Sequence, residues 1–343
     1  MRPWRHGLAI GKFRPPHIGH GLLIETALGQ VDRLTVVVCG DLSDTLPVGL
    51  RAEWLRELYP AADVRTFDST GFDPQDSRLW ADLTRDRLGL APDVVFTSEA
   101  YGDAYARHLA AEHVPVDPGR ARVPISASRI LARPLDHLEF LAPCVRAYFV
   151  LRVALVGAES TGKTTLAHRL ADHYRTAWVP EYGRTYSDGL PRASAPEWST
   201  RDFLHIAEAQ GRLEDMLARH ADRVLICDTD PLTTSLWHER YRGADAPAVR
   251  ALADARRYAL YLVAGDEIAW EDDGTRERAD ERPWLQRRIL DELAATGRPF
   301  VLLEGPLDRR LATATGQIDR LLATGGAPSA AHPTPDATSV RSG

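Results

Sequence analysis

The sequence predicts an α/β protein made of two parallel-sheet domains. Three observations predict it. Short apolar runs alternate with amphipathic helical patterns, as a parallel sheet covered by helices requires. The alternation restarts near residue 151. Each half opens on an apolar strand that turns through glycine into a helix. The 343 residues suit two domains, and 44% apolar with 26% charged side chains leaves ample material for cores.

The first half begins with the strand Leu8-Ala9-Ile10 and a turn at Gly11. A helical pattern follows from about His17 to Gln30, with Ile18, Leu22 and Leu23 among its apolar positions. Leu34 to Cys39, apolar apart from Thr35, reads as a buried strand. Helix and strand signals then alternate through Arg51–Leu58, Val64–Phe67, Ser77–Leu88 and Val94–Phe96. In the second half, Val153 to Val156 is a buried strand and Lys163 to about Tyr174 a helix. Strands are expected at Ala177–Val179, Val224–Cys227, Ala259–Val263 and Phe300–Leu303. Helices are expected at Arg201–His220, Trp284–Ala295 and Asp308–Leu322. The domain boundary falls near Ala147–Leu151, giving domains 1–148 and 149–324. Residues 325–343 are rich in Pro, Ala, Ser, Thr and Gly, with no aromatic residue, and are expected to be a disordered tail. No repeat of long period is evident.

A net charge of −6 argues against coating nucleic acid or anionic membranes, though not against a nucleotide in a local pocket. The three cysteines, Cys39, Cys144 and Cys227, have neither zinc spacing nor a disulfide pattern, which fits a reducing cytoplasm. No apolar run is long enough for a membrane helix, and Arg2 and Arg5 are followed by no apolar leader segment.

Of 42 basic residues only Lys12 and Lys163 are lysines; the remaining 40 are arginines. A lysine kept in such a background marks places where a compact point charge is wanted and a broad planar fork is not. Each lysine lies in a separate phosphate-binding signature.

The second is Gly157-Ala-Glu159-Ser160-Thr161-Gly162-Lys163-Thr164, followed by Thr165. It satisfies the phosphate-loop pattern in full, between an apolar strand and a helix. Backbone N–H groups at such a helix start cradle phosphates; Lys163 is expected on the β- and γ-phosphates and Thr164 on Mg²⁺. Asp228 ends a buried strand, where ligands of a parallel sheet bind, and is a candidate for the magnesium shell. Asp230, before Pro231, suits the start of a helix equally well. Glu181 follows another strand and can take a proton from an attacking hydroxyl if its strand neighbours the phosphate loop; a helix-start role is the alternative. The charged run from Asp272 to Arg282, with Arg276 and Arg278, is either a solvated face or a lid whose arginines steady a transferring phosphoryl group.

The first signature is Gly11-Lys12-Phe13-Arg14-Pro15-Pro16-His17-Ile18-Gly19-His20. His17 and His20 fall on one face at a helix N-terminus, and Gly19 leaves room for close approach. Neutral or protonated imidazoles there can hold the developing charge of a triphosphate. A zinc site is the rival reading, but no third ligand lies nearby in sequence.

This motif resembles the signature of the nucleotidyltransferase superfamily, whose members join a nucleoside triphosphate to a phosphate-bearing partner and release pyrophosphate. The superfamily's second motif matches Ile125-Ser126-Ala127-Ser128-Arg129-Ile130, but its closing arginine is replaced by Leu131. The order of the two domains resembles the NadR-type family, which fuses nicotinamide mononucleotide adenylyltransferase to ribosylnicotinamide kinase. Matching stretches include Val31–Cys39, Thr97-Ser98-Glu99, the phosphate loop, Glu181-Tyr182-Gly183-Arg184, Asp228-Thr229-Asp230 with Thr233-Thr234, and Trp270 to Gly274 with Arg276. The chain opens on the nucleotidyltransferase strand, so the helix-turn-helix domain that some members carry is expected to be absent.

The resemblance implies an N-terminal Rossmann-like nucleotidyltransferase domain and a C-terminal P-loop kinase domain. It implies phosphorylation of ribosylnicotinamide by ATP, then adenylylation of the mononucleotide to NAD, with Mg²⁺ as cofactor. His17, His20 and Lys12 would serve the ATP phosphates of the first site, with Gly11, Phe13, Ser126, Ser128 and Arg129. Tyr182, Arg184, Asp230, Trp270 and Asp273 would meet the kinase substrate. Trp80 is equally a nicotinamide-stacking ring or a core residue. Glu181 is favoured over Asp228 as kinase base. At Leu131, either Arg129 or Arg133 substitutes, or the first site is weakened but live. The partners are small molecules only, with no nucleic acid or membrane, and a homo-oligomer is left open. A nucleotide-sensing regulator and a fusion enzyme for another small metabolite are the alternatives.

Overall fold

The computed structural model describes residues 2–41, 43–189, 198–268 and 282–325. The chain packs as two compact units, Met1–Val145 and Arg146–Gly343. Among the described residues no helix is long and apolar enough to cross a membrane.

The first unit holds β1 (Trp4–Gly11), α1 (Ile18–Gln30), β2 (Val31–Gly40), α2 (Val48–Leu58), β3 (Ala62–Asp68), α3 (Ser77–Asp86), β4 (Val94–Thr97), α4 (Gly102–Leu109), β5 (Glu112–Pro115) and α5 (Ala127–Ala132). Two short 3₁₀ turns follow, and α6 (Pro143–Phe149) spans the division between units. The strands form a parallel five-stranded sheet in the order β3-β2-β1-β4-β5. Alternate residues feed opposite faces, as strand geometry demands. Ala9, Val36 and Val38 join Leu23, Ile24 and Leu55 in one core, while Leu8 and Val37 join Ala81, Tyr105 and Leu109 in the other. Chain order reverses at β1, between β2 and β4, and the crevice beyond strand ends at such a switch is where open α/β sheets bind ligands.

The second unit continues with β6 (Leu151–Val156), α7 (Lys163–Tyr174), β7 (Trp178–Val179), α8 (Tyr182–Asp188), α9 (Thr200–Ala218), β8 (Val224–Asp228), α10 (Pro231–Arg242), α11 (Pro247–Asp254), β9 (Leu260–Ala264), α12 (Arg282–Ala295), β10 (Phe300–Leu303) and α13 (Leu307–Thr324). Its parallel sheet runs β10-β9-β6-β8-β7. Again the first strand, β6, is central and the order reverses beside it. Glu181 therefore does not follow a strand adjoining the phosphate-loop strand: β8 lies between β6 and β7. Trp270, Asp273 and Arg276 lie outside the described residues, as does the expected tail beyond Gly325.

Candidate active sites at two phosphate loops

His17 caps α1 with its own ring. Its Nδ1 accepts the N–H of Gly19 at 3.1 Å, and His20 Nδ1 accepts the N–H of His17 at 3.3 Å. The two imidazoles thus do the work usually given to Ser and Glu in a capping box. A nitrogen that accepts a hydrogen bond carries no proton, so in each neutral ring the proton sits on Nε2. The rings lie 3.9 Å apart. Burial and then the charge of Arg120 push the His17 pKa down to about 4. Burial, His17 and Arg120 push His20 well below the usual imidazole value. Both rings are therefore neutral at pH 7, and each is an Nε2–H donor beside the positive end of a helix dipole. Gly19 is required by the cap: a β-carbon there would stand 2.9 Å from His17 Cε1.

The other residues of this signature divide between support and surface. Phe13 is 4% exposed, belongs to the core and meets His20 edge-on at 5.0 Å, so its ring is packed against the histidine. Lys12 is exposed, and its charge is felt by Cys39 and Asp41 at the end of β2. Ser126 caps α5, accepting Arg129 N–H at 3.3 Å, and its Oγ lies 3.2 Å from Ser128 Oγ. Arg129 is exposed on α5. Arg133 pairs with Asp136 at 2.5 Å. Trp80 is partly buried in an aromatic cluster with Phe67 and Phe72, and its Nε1–H donates to Asp73 O at 2.9 Å.

In the second unit, Gly157 leaves β6 at φ +140, and a β-carbon there would stand 2.7 Å from Ala264 O at the end of β9. Only glycine permits that conformation and that approach. Thr161 is buried, with its Oγ1 on Ala158 O at 2.8 Å. Lys163 Nζ donates to the same carbonyl at 2.8 Å. Thr164 Oγ1 donates to Asp228 Oδ2 at 2.6 Å. The other oxygen of Asp228, Oδ1, is buried without a hydrogen-bond partner. An unpartnered carboxylate oxygen beside a threonine hydroxyl at a phosphate loop fits the oxygen-ligand chemistry of Mg²⁺. Among the described residues no three His, Cys, Asp or Glu side chains form a metal cluster, so phosphates and water would complete such a shell.

Glu181 stands at the N-terminal boundary of α8 without a side-chain capping bond, within electrostatic reach of Lys163, Asp228 and Arg184. Burial raises its pKa above the usual carboxylate value, with Asp228 adding to the rise and Lys163 and Arg184 opposing it. Burial likewise raises Asp228, against Lys163, Thr164 and Arg184. Four residues expected to act together are thus gathered at the ends of β6, β8 and β7. Asp230 has other employment. Its Oδ1 accepts Thr233 N and Oγ1 at 2.9 and 2.7 Å, and its Oδ2 accepts Tyr261 OH at 3.0 Å, so it caps α10 and ties it to β9. Tyr182 OH meets His205 Nε2 at 2.9 Å within an aromatic group that includes Tyr186 and Trp198.

Several residues that hold these sites have no sequence signal. The two largest fully buried side chains are arginines, Arg51 and Arg310, and each braces one phosphate loop. Arg51 donates to Lys12 O, to Cys39 O at 3.0 Å and to Asp44 at 2.8 Å, and Asp44 also pairs with Arg14. Arg310 donates to Thr161 O at 2.8 Å, Gly265 O at 3.0 Å and Glu267 at 2.8 Å. Five rigid N–H donors can satisfy several carbonyls at once, and each guanidinium is balanced by a carboxylate, Asp44 for Arg51 and Glu267 for Arg310. Gln286 joins Ala158 N to Ala264 O, 3.0 Å each. Gln210 Oε1 accepts Tyr182 N–H at 2.9 Å, and its Nε2 is buried without a hydrogen-bond partner.

A family model described as an AAA domain matches residues 152–310. The chain is 30% identical over 321 residues to the trifunctional NAD biosynthesis/regulator protein NadR of Escherichia coli (strain K12), covering 87% of this chain and 78% of that protein. It is equally 30% identical to the protein of the same name from Salmonella typhimurium (strain LT2), covering 86% and 78%. Among solved structures, a NadR protein in complex with NR superposes with a TM-score of 0.78 at 22% identity, over 93% of this chain and 96% of that one. A NadR protein with NAD and AMP-PNP superposes at 0.73, with the same identity and coverage.

Proposed function

The chain belongs to the NadR family, and from that premise we propose that it is a bifunctional transferase of NAD biosynthesis. The second unit phosphorylates ribosylnicotinamide with ATP. The first transfers the adenylyl group of ATP to the resulting nicotinamide mononucleotide, giving NAD and pyrophosphate. One observation carries the reading: each sheet has a phosphate-loop sequence at its own switch point, and beside the second stands the buried carboxylate of Glu181, raised in pKa.

In the kinase step the ribose 5′-hydroxyl attacks the γ-phosphorus. ADP leaves, and the hydroxyl proton passes to Glu181. Burial raises the Glu181 pKa and so makes its carboxylate a stronger base than an exposed glutamate, while Lys163 and Arg184 favour its ionised form. Lys163 and the backbone N–H groups of the loop hold the β- and γ-phosphates, so catalysis is mostly positioning and charge. Thr164 and Asp228 would hold Mg²⁺, which neutralises phosphate charge when bound. Tyr182 offers an aromatic face to the substrate, and Gln210 Nε2 a buried donor.

The adenylyl step needs no protein nucleophile. A phosphate oxygen of the mononucleotide attacks the α-phosphorus of ATP, and pyrophosphate leaves with the electron pair. The Nε2–H groups of His17 and His20 stabilise the charge that develops on the phosphates.

The two carboxylates separate by assay. Glu181→Gln keeps the shape and removes the base, so kinase turnover is expected to fall about 10²-fold with ribosylnicotinamide affinity little changed. Asp228→Asn is expected instead to raise the magnesium concentration needed for half-maximal rate. The opposite pattern, measured by steady-state kinetics over a magnesium series, would exchange their roles.

A further inference from the structure

Leu131 leaves the first site without the guanidinium that its motif normally ends on, and the two histidines, both neutral, do not replace that charge. Arg133 pairs with Asp136 and is two-thirds exposed (65%). Another arginine stands at the histidines. The loop that links β5 to α5 is folded around Asp117, whose carboxylate accepts the N–H groups of Arg122 and Val123 at 3.1 Å each. Arg120 N donates to Asp117 O at 2.9 Å, and both Asp117 and Arg120 adopt left-handed backbone, at φ +47 and +51. This bend seats the loop on the first turn of α1: a β-carbon at Gly19 would lie 3.6 Å from Val123 Cγ1. The charge of Arg120 reaches both His17 and His20 from this position.

From this geometry we propose that Arg120 supplies the guanidinium that grips the triphosphate of ATP in the first site, in the role left vacant at Leu131. The proposal rests on the reading of that site as an adenylyltransferase. The recorded partner of Arg120 is Glu99 Oε1 at 3.1 Å, and the side chains are 50% and 55% exposed. So exposed an ion pair is weak and is readily exchanged for a phosphate, to which the planar fork is better matched. Glu99 is then the partner that the phosphate displaces.

The test compares wild type with Arg120→Gln and Arg133→Ala. Two quantities are read: adenylyl transfer to supplied nicotinamide mononucleotide, and the affinity for inorganic tripolyphosphate followed on the imidazole resonances of His17 and His20. Arg120 is surface-exposed, and kinase activity serves as the control for folding. Arg120→Gln is expected to weaken tripolyphosphate binding and to lower kcat/KM for adenylyl transfer, each by about tenfold or more, with Arg133→Ala close to wild type. Equal tripolyphosphate affinity in wild type and Arg120→Gln, or a loss confined to Arg133→Ala, overturns the assignment. A wild type that binds tripolyphosphate through Arg120 yet transfers no adenylyl group would defeat the enzymatic reading and leave the assignment of Arg120 standing.

Discussion

Lys163→Ala is expected to lower ribosylnicotinamide phosphorylation by about 10³-fold, the upper end for losing one preorganised charge-stabilising group, while adenylyl transfer to supplied mononucleotide continues. Lys163 opens α7 directly after the loop, and its Nζ already lies 2.8 Å from Ala158 O inside the cradle. Its charge also bears on Glu181 and Asp228, lowering both against the burial that raises them. On the proposed roles, removing the lysine takes away a phosphate ligand and also lets Glu181 and Asp228 hold protons at higher pH. Both effects slow the kinase. Lys163→Arg is expected to fail nearly as badly, because a planar fork does not fit where a point charge is cradled. Loss of both activities in a folded Lys163→Ala protein would show that the two reactions share one nucleotide site.

His17→Ala and His20→Ala are each expected to lower adenylyl transfer about 10²–10³-fold and to spare the kinase. His17 is both donor and helix cap, so its loss also frees the N–H of Gly19 and unsettles the first turn of α1. His20 holds the N–H of His17, so its loss loosens the neighbouring ring. Because both pKa values are depressed, His17 to about 4 and His20 well below the ordinary value, neither ring changes charge in the window around the ordinary imidazole value of about 6.5. The adenylyl rate should show no histidine limb in that window. A limb near pH 6.5 that disappears in either variant would mean that a protonated imidazole does the work.

Much of this was legible in the chain. The strand–glycine–helix junctions at Gly11 and Gly157 stand out because apolar strands lead into them and because the only two lysines lie there. Within β2, β6 and β8 the stretches Val36–Cys39, Val153–Val156 and Val224–Cys227 read as unbroken apolar runs. Other parts were not legible. The strand β5 is the four residues Glu-His-Val-Pro at a sheet edge, with no period to detect. Sheet order is a long-range property, so the interposition of β8 between Glu181 and the phosphate loop carries no local signal. Asp230 before Pro231 reads as either ligand or cap, and only the bonds to Thr233 and Tyr261 decide for the cap. The braces Arg51 and Arg310, and Arg120 at the histidines, were hidden for a compositional reason. With 40 arginines in the chain, one that is buried or poised over phosphate looks like any other.

The most direct measurement supplies the wild-type protein with ribosylnicotinamide and Mg·ATP and follows nicotinamide mononucleotide, NAD and pyrophosphate by mass against time. Mononucleotide should appear first, with NAD and an equal amount of pyrophosphate following after a lag. Mononucleotide that accumulates without NAD, even when supplied in excess with ATP, would contradict a working adenylyltransferase at His17 and His20; no mononucleotide at all would contradict the kinase at Lys163.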